Sequence, residues 1–379
     1  MKRKKCGICN GFLYEEPLLI LENMPSRAQF FPTENMLRKD KGITLKIHQC
    51  AFCGVVQLTN KPVSYYKNVI RATSISKEMM LFRKKQFKEF VKKFSLEGKK
   101  IIEIGCGSGE FLSIMNGLGV KSYGVEYNKE LVEKCLGNNL TVTREFIENE
   151  NYKLINGPFD GFYILNFLEH LPFPKEFLYG IYNNLTEKSV GIVEVPNFNM
   201  IIQKKLLSEF IIDHLFYFTK ETLTTTFNFC GFEVIECKEI WHNYIISAIV
   251  KKRGKLNLLL FKKHWEKIKI DIENFIEKLK NKKVCIWGAG HQALTVISLL
   301  NLSSKIAYII DSAPFKQNKY TPATHISIVP PEFFYSNPVE GLIIMAGSYS
   351  DEVAKIIRKN FNKNIKVAIL RNFGLEEIY

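Results

Sequence analysis

Three features of the sequence predict an α/β protein with two parallel sheets and a small cysteine-bearing module in front. The first is Lys100-Ile101-Ile102-Glu103-Ile104-Gly105-Cys106-Gly107-Ser108-Gly109-Glu110-Phe111, an apolar strand entering a glycine-rich turn and then a helix. The second is a later strand–turn–helix, Val284-Cys285-Ile286-Trp287-Gly288-Ala289-Gly290-His291-Gln292-Ala293. The third is a pair of CxxC knuckles, Cys6/Cys9 and Cys50/Cys53, ahead of both. Strands alternating with helices argue a parallel sheet covered on both faces.

The glycine turn at 105–109 carries the most chemistry. Glycines at alternate positions let backbone approach a ligand closely, and the helix behind them aims free N–H groups at the same point. About twenty residues on, the strand Val120-Lys121-Ser122-Tyr123-Gly124-Val125-Glu126 ends in an acid that can hold a ribose diol. A dinucleotide fingerprint reads G-x-G-x-x-G/A. Here the pattern is Glu103-x-Gly105-x-Gly107-x-Gly109, which resembles motif I of the class I S-adenosylmethionine-dependent methyltransferases. That resemblance implies that Glu103 orders the loop, that Gly105, Gly107 and Gly109 line the cofactor, and that Glu126 holds its ribose. Cys106, Phe111, Tyr127 and Asn166 are the neighbouring residues assigned to the same site.

Composition bounds the rest. A chain of 379 residues with 46% apolar and 24% charged residues is that of a globular protein of two or three domains. No apolar run is long enough to span a membrane, and Met1-Lys2-Arg3-Lys4-Lys5 has no apolar segment behind it, unlike a signal peptide. Nine cysteines, four of them in knuckles, fit a reducing cytoplasm better than a disulfide framework. The net charge of +15 is mostly lysine and reads first as a compositional habit, second as attraction for a polyanion such as a sugar nucleotide or RNA.

In chain order, residues 1–62 hold Cys6, Cys9, Cys50 and Cys53, which can wrap one zinc with four thiolates and leave no open position, as a structural site does. Some structure must bridge the knuckles. Residues 63–252 form the cofactor-binding domain. Ser76 is the expected N-cap of a helix carrying Met79, Met80, Phe87, Phe90, Val91 and Phe94 at helical spacing. Strands are expected at 160–166, 190–197, 232–239 and 244–251. Ligands of such sheets sit at the carboxyl ends of the strands, where Asn166, His170 and Asn197 fall. Asp213-His214, followed by aromatics, is a candidate general base in an apolar pocket. Residues 253–379 begin with a helix over 261–280 and continue into the second strand–turn–helix. There Gly288-Ala289-Gly290, with Asp311 at the end of strand 305–310, fits a dinucleotide fingerprint. A last strand is expected at 341–346.

Over its full length this order resembles the sugar C-methyltransferase family, which acts on nucleotide-linked keto-deoxysugars. The resemblance rests on the four cysteines, the motif at 103–111, Leu168-Glu169-His170-Leu171, Asp213-His214 and the segment Tyr320-Thr321-Pro322-Ala323-Thr324-His325-Ile326. It implies a structural zinc, S-adenosylmethionine in the middle domain, a sugar nucleotide held between domains, and a second Rossmann-like domain that grips substrate rather than NAD. Arg71, Asn197, Lys316, Thr324, His325 and Tyr349 are the implied substrate contacts. His214, supported by Asp213, is the implied base that removes a proton beside a keto group. His170, near the keto oxygen, is the implied proton donor or enolate stabiliser.

Two positions depart from the family pattern. Its Tyr-x-Glu-His segment is Ile211-Ile212-Asp213-His214 here, and Arg71 stands where a tyrosine is expected. Loss of two hydroxyls leaves O-methylation of a sugar as the alternative. An RNA methyltransferase is more distant, because aromatics are not interleaved with the basic residues. Intact glycines and Glu126 argue against a non-catalytic binding protein.

Overall fold

The computed structural model describes residues 5–29, 31–68, 75–280, 282–360 and 365–379. The chain divides into two compact units, Met1–Gly254 and Lys255–Tyr379.

The first unit opens with β1 (Leu19–Met24), β2 (Ile43–Gln49) and β3 (Val56–Leu58), which supply the structure that bridges the knuckles. After them come α1 (Lys77–Lys93), β4 (Lys100–Ile104), α2 (Glu110–Asn116), β5 (Lys121–Glu126), α3 (Lys129–Gly137) and β6 (Val142–Arg144). The unit continues through β7 (Phe159–Leu165), α4 (Pro174–Asn183), β8 (Leu185–Pro196), α5 (Phe198–Lys204), β9 (Phe216–Tyr217), α6 (Lys220–Phe229), β10 (Phe232–Ile240) and β11 (Ile245–Lys252).

Seven of these strands form a sheet in the order β10-β11-β8-β7-β4-β5-β6. The strands from β8 to β6 run parallel, and the β10–β11 hairpin closes the other edge antiparallel. The chain leaves β4 toward β5 on one side and returns to β7 on the other, so a crevice opens at the carboxyl ends of β4 and β7. Ile101, Ile102 and Ile104 are all buried, as expected of a parallel strand covered on both faces. Ser76 caps α1 by accepting the Met79 N–H at 3.1 Å. Phe87, Phe90 and Val91 of that helix pack on Ile101, Phe111, Met115 and Tyr163.

The other sheet of this unit has the order β1-β2-β3-β9. Its last strand comes from the cofactor-binding half, with Val56 opposite Tyr217 and Gln57 opposite Phe216. Residues 1–62 and 63–252 therefore share a sheet, and a boundary near 62 does not separate compact units.

The second unit runs α7 (Leu259–Lys278), β12 (Val284–Trp287), α8 (His291–Leu299), β13 (Ile306–Ile310), β14 (Lys319–Tyr320), β15 (Ser327–Val329), α9 (Phe333–Ser336), β16 (Gly341–Ile344), α10 (Ser350–Asn360), β17 (Lys366–Arg371) and β18 (Gly374–Glu377). Its sheet has the order β14-β15-β13-β12-β16-β17-β18. The strand expected at 341–346 is not the last. Val367, Ala368, Ile369 and Leu370 form another buried strand, which turns at Gly374 into β18. No helix among the described residues is long and apolar enough to cross a membrane.

Gly109 is a point of close packing between α2 and α3. Its φ is +82°, and a Cβ there would lie 2.5 Å from Leu140 Cδ1 and 2.9 Å from Cys135 Sγ. Left-handed strain and overpacking act together, so Gly109→Ala should destabilise the first unit by about 2–4 kcal/mol, read as a lower urea midpoint. An unchanged midpoint would show that α2 and α3 can separate freely.

Candidate functional site

A cavity of about 850 Å³ lies at the carboxyl ends of β4, β5, β7 and β8. One wall is the glycine turn. Gly105, Gly107 and Ser108 face it, and a Cβ on Gly107, whose φ is +57°, would meet nothing within 4 Å. The backbone there is open to a ligand. Glu126 ends β5 beneath the turn and accepts the Gly107 N–H at 3.0 Å and the Asn128 N–H at 2.8 Å. Burial raises its pKa, opposed by those two N–H groups. Phe146, which also lines the cavity, makes edge contacts with Tyr127 and Phe167, ring centroids 6.1 and 6.5 Å apart. Such a cluster suits a flat heteroaromatic ring.

Facing this wall are Glu169, His170, Asp213 and His214. Glu169 and His170 sit in a 3-10 turn, Leu168–His170, directly after β7. The segment before β9 is bonded to that turn by the Leu215 N–H donating to the Glu169 carbonyl at 2.8 Å. His170 Nδ1 lies 2.8 Å from the Asp213 carbonyl oxygen. A carbonyl can only accept, so the ring proton sits on Nδ1 and Nε2 presents a lone pair. The His214 ring stands edge-on to it, with centroids 4.8 Å apart. Burial lowers His170 to about 4. Burial, reinforced by His170, lowers His214 to about 3. Both imidazoles are therefore neutral at pH 7.

The two acids of this wall differ. Asp213 Oδ1 accepts the Tyr65 hydroxyl proton at 2.9 Å, and that hydroxyl accepts the Ala28 N–H at 3.0 Å. Glu169 is 1% exposed, and its Oε2 has no hydrogen-bond partner among the described residues. Burial pushes its pKa up to about 8, so it keeps its proton at neutral pH.

Of the cofactor residues expected from sequence, Gly105, Gly107, Phe111, Glu126, Tyr127 and Asn166 line the cavity, together with His170, Asp213 and His214. Three do not. Glu103 is buried in β4 and accepts the Tyr163 hydroxyl proton at 3.0 Å. The Cys106 side chain turns into an apolar cluster with Leu112, Cys135 and Leu140. Gly109 serves helix packing, as described above. The donor role expected of His170 is corrected as well, because its single ring proton is spent on Asp213.

The expected substrate residues fall in both units. Asn197 is not in the cavity wall: its Oδ1 caps α5 through the Asn199 N–H at 3.1 Å and its Nδ2 donates to the Asn243 carbonyl at 2.8 Å. Arg71 lies outside the described residues. Lys316, Thr324, His325 and Tyr349 belong to the second unit. Lys316 pairs with Asp311 at 2.8 Å, and the same carboxylate oxygen accepts the Ala289 N–H at 2.8 Å. The acid of the second fingerprint is thus occupied by its own turn. Thr324 shares a hydrogen bond with Thr321 at 2.7 Å, His325 has φ +51°, and Tyr349 is exposed on a 3-10 turn.

Sequence reasoning missed Arg83, Phe146, Glu169, Trp241 and Tyr244 as lining residues. Arg83 was hidden in the basic run of α1, where it is buried against Glu194. Trp241, His242 and Asn243 have φ of +48°, +58° and +64°, three successive left-handed residues in the hairpin loop beside the cavity. No glycine advertises that strain.

Residues 79–237 match the family model of a methyltransferase domain, and residues 255–369 match that of the C-methyltransferase C-terminal domain. The chain is an S-adenosylmethionine-dependent methyltransferase. Among solved structures, it is similar to an S-adenosylmethionine-dependent methyltransferase from Clostridium acetobutylicum, at 14% identity over 50% of this chain and 96% of that one, with a TM-score of 0.39. It is also similar to magnesium protoporphyrin IX methyltransferase from Synechocystis PCC 6803, solved with bound SAH, at 12% identity over 48% and 90% of the two chains and a TM-score of 0.39. No curated protein matches its sequence.

This methyltransferase also brings its four knuckle thiols together. Cys6 and Cys53 Sγ are 3.6 Å apart, and Cys9 and Cys50 Sγ are 3.5 Å apart. Zn–S bonds of about 2.3 Å in a tetrahedron place sulfurs roughly 3.8 Å apart, so the set fits zinc. Backbone N–H groups of Ile8, Gly11 and Phe52 point at three of the sulfurs at 3.3–3.4 Å, which favours thiolates. Elemental analysis should find one zinc per chain, and Cys53→Ser should release it and lower the unfolding temperature. Zinc-free protein as stable as the zinc-loaded form would contradict this.

Proposed function

We propose that the chain transfers the methyl group of S-adenosylmethionine to a carbon beside the keto group of a nucleotide-linked deoxysugar. The observation that carries this reading is one cavity joining the glycine turn and Glu126 to the pair His170 and His214. A neutral imidazole close to the methyl donor suits a reaction that needs a base and positioning. The match of residues 255–369 to the C-methyltransferase C-terminal domain supports carbon as the acceptor.

The cofactor would rest its amino-acid end on Gly105 and Gly107, its ribose on Glu126 and its adenine among Tyr127, Phe146 and Phe167. When bound, it supplies an electrophilic methyl on a sulfonium centre. His214 removes the proton from the carbon next to the keto group. His170, locked by Asp213, holds a lone pair toward the same space. The four-thiol zinc site is structural in this reading, with no position left for substrate.

The product decides. The chain, given labelled S-adenosylmethionine and a panel of nucleotide-linked keto-sugars, should yield a product whose new methyl is on carbon by NMR. Methyl on oxygen would overturn the carbon-alkylation reading. His214→Asn should lower turnover by ~10²–10⁴-fold with S-adenosylhomocysteine binding retained, and full turnover would remove His214 as the base.

A further inference from the structure

Resting on that reading, we propose that Glu169 acts as a neutral carboxylic acid, donating the hydrogen bond that receives the negative charge developing on the substrate oxygen.

Removing a proton beside a ketone moves an electron pair onto the keto oxygen, and that oxygen is stabilised by a hydrogen-bond donor already in place. His170 cannot provide it, because its Nδ1 proton goes to the Asp213 carbonyl and its Nε2 carries none. Asp213 is itself an acceptor of the Tyr65 hydroxyl proton. Glu169 lines the same cavity, is 1% exposed, and has an Oε2 without partner among the described residues. A buried, unpartnered carboxylate is costly; a carboxylic acid offering its O–H to a ligand is not. Its backbone carbonyl is held by the Leu215 N–H, so the side chain starts from a fixed point.

The groups around it leave that proton in place. His170 on its own turn and His214 on the segment packed against it are neutral. Burial also keeps Tyr217 of β9 and Tyr244 protonated, the latter donating to Glu209 at 2.7 Å. Of the cations lining the cavity, Arg83 is already paired with Glu194 of β8 and Lys67 with Glu148. Burial raises Glu169 to about 8, against the opposing pull of its own backbone N–H.

The step balances. His214 takes the proton, the C–H pair becomes the C=C bond, and the C=O π pair moves to the oxygen facing Glu169. The enolate carbon then attacks the methyl carbon, the C–S bond breaks with its pair staying on sulfur, and the carbonyl re-forms. Glu169 keeps its proton, and His214 releases its own to solvent.

The test uses the full chain with the keto-sugar that it methylates. Wild-type kcat should fall as pH rises through about 8, the value to which burial brings Glu169. Glu169→Gln keeps an N–H donor and does not titrate, so it should lose that alkaline limb, with kcat down only ~10-fold. Glu169→Leu should lose ~10²–10³-fold in kcat, with binding of S-adenosylhomocysteine unchanged. Independently of any substrate, the wild-type protein at neutral pH should show the infrared band of a buried carboxylic acid that Glu169→Gln lacks. Turnover with an unchanged alkaline limb in Glu169→Gln, or absence of that band, overturns this inference and leaves the keto-sugar reading standing. A wild-type chain that methylates no keto-sugar overturns that reading, and the role of Glu169 with it.

Discussion

The peptide of Leu215 holds the site together. Its N–H donates to the Glu169 carbonyl at 2.8 Å, and its carbonyl accepts the Leu58 N–H at 2.9 Å. One residue thereby ties the four-thiol module to the turn after β7. The two histidines face each other because the segments carrying them are bonded at this point. Each bond contributes only about 1 kcal/mol net, but both are flanked by the β3–β9 pairing and by the packing of Tyr217 with Phe198, Leu45 and Ile47. The amino-terminal module is thus part of the site's frame: Ala28 and Gln29 reach the cavity, and Tyr65 anchors Asp213.

Desolvation then decides what each buried group can do. The same burial that strips protons from His170 and His214 leaves one on Glu169. Neighbouring groups in one wall emerge as lone-pair carriers and a proton carrier. Arg83, in the wall, is paired with buried Glu194, and Gln86 bridges the two at 2.7 and 2.6 Å. Removing one partner of such a pair costs about 3–5 kcal/mol, so it reads as scaffold.

Much of this was legible in the sequence where local rules suffice. The strand before Gly105, the Ser76 cap, the hairpin after Phe232 and the four cysteines follow from periodicity, capping chemistry and spacing. The short strands β1, β2, β3 and β9 were not legible, because β3 and β9 are defined by pairing across more than a hundred residues. Cys106 and Gly109 share the fingerprint with Gly105 and Gly107, yet only backbone direction tells which of them faces a ligand. Asn197 looked like a contact from its place at a strand end and proved to be a helix cap. Glu169 stands in the quoted Leu-Glu-His-Leu, but its significance lies in complete burial, which one sequence does not reveal. In the second unit, Asp311 looked like a ribose ligand until Lys316 and the Ala289 N–H were found on it.

The coupling through Leu215 can be measured directly by hydrogen exchange of the full chain with and without a zinc chelator. Removing the metal should open residues 43–58, and exchange across 213–218 should rise with them while 100–126 stays protected. If 213–218 remains protected when 43–58 opens, the four-thiol module does not hold the wall that carries His214.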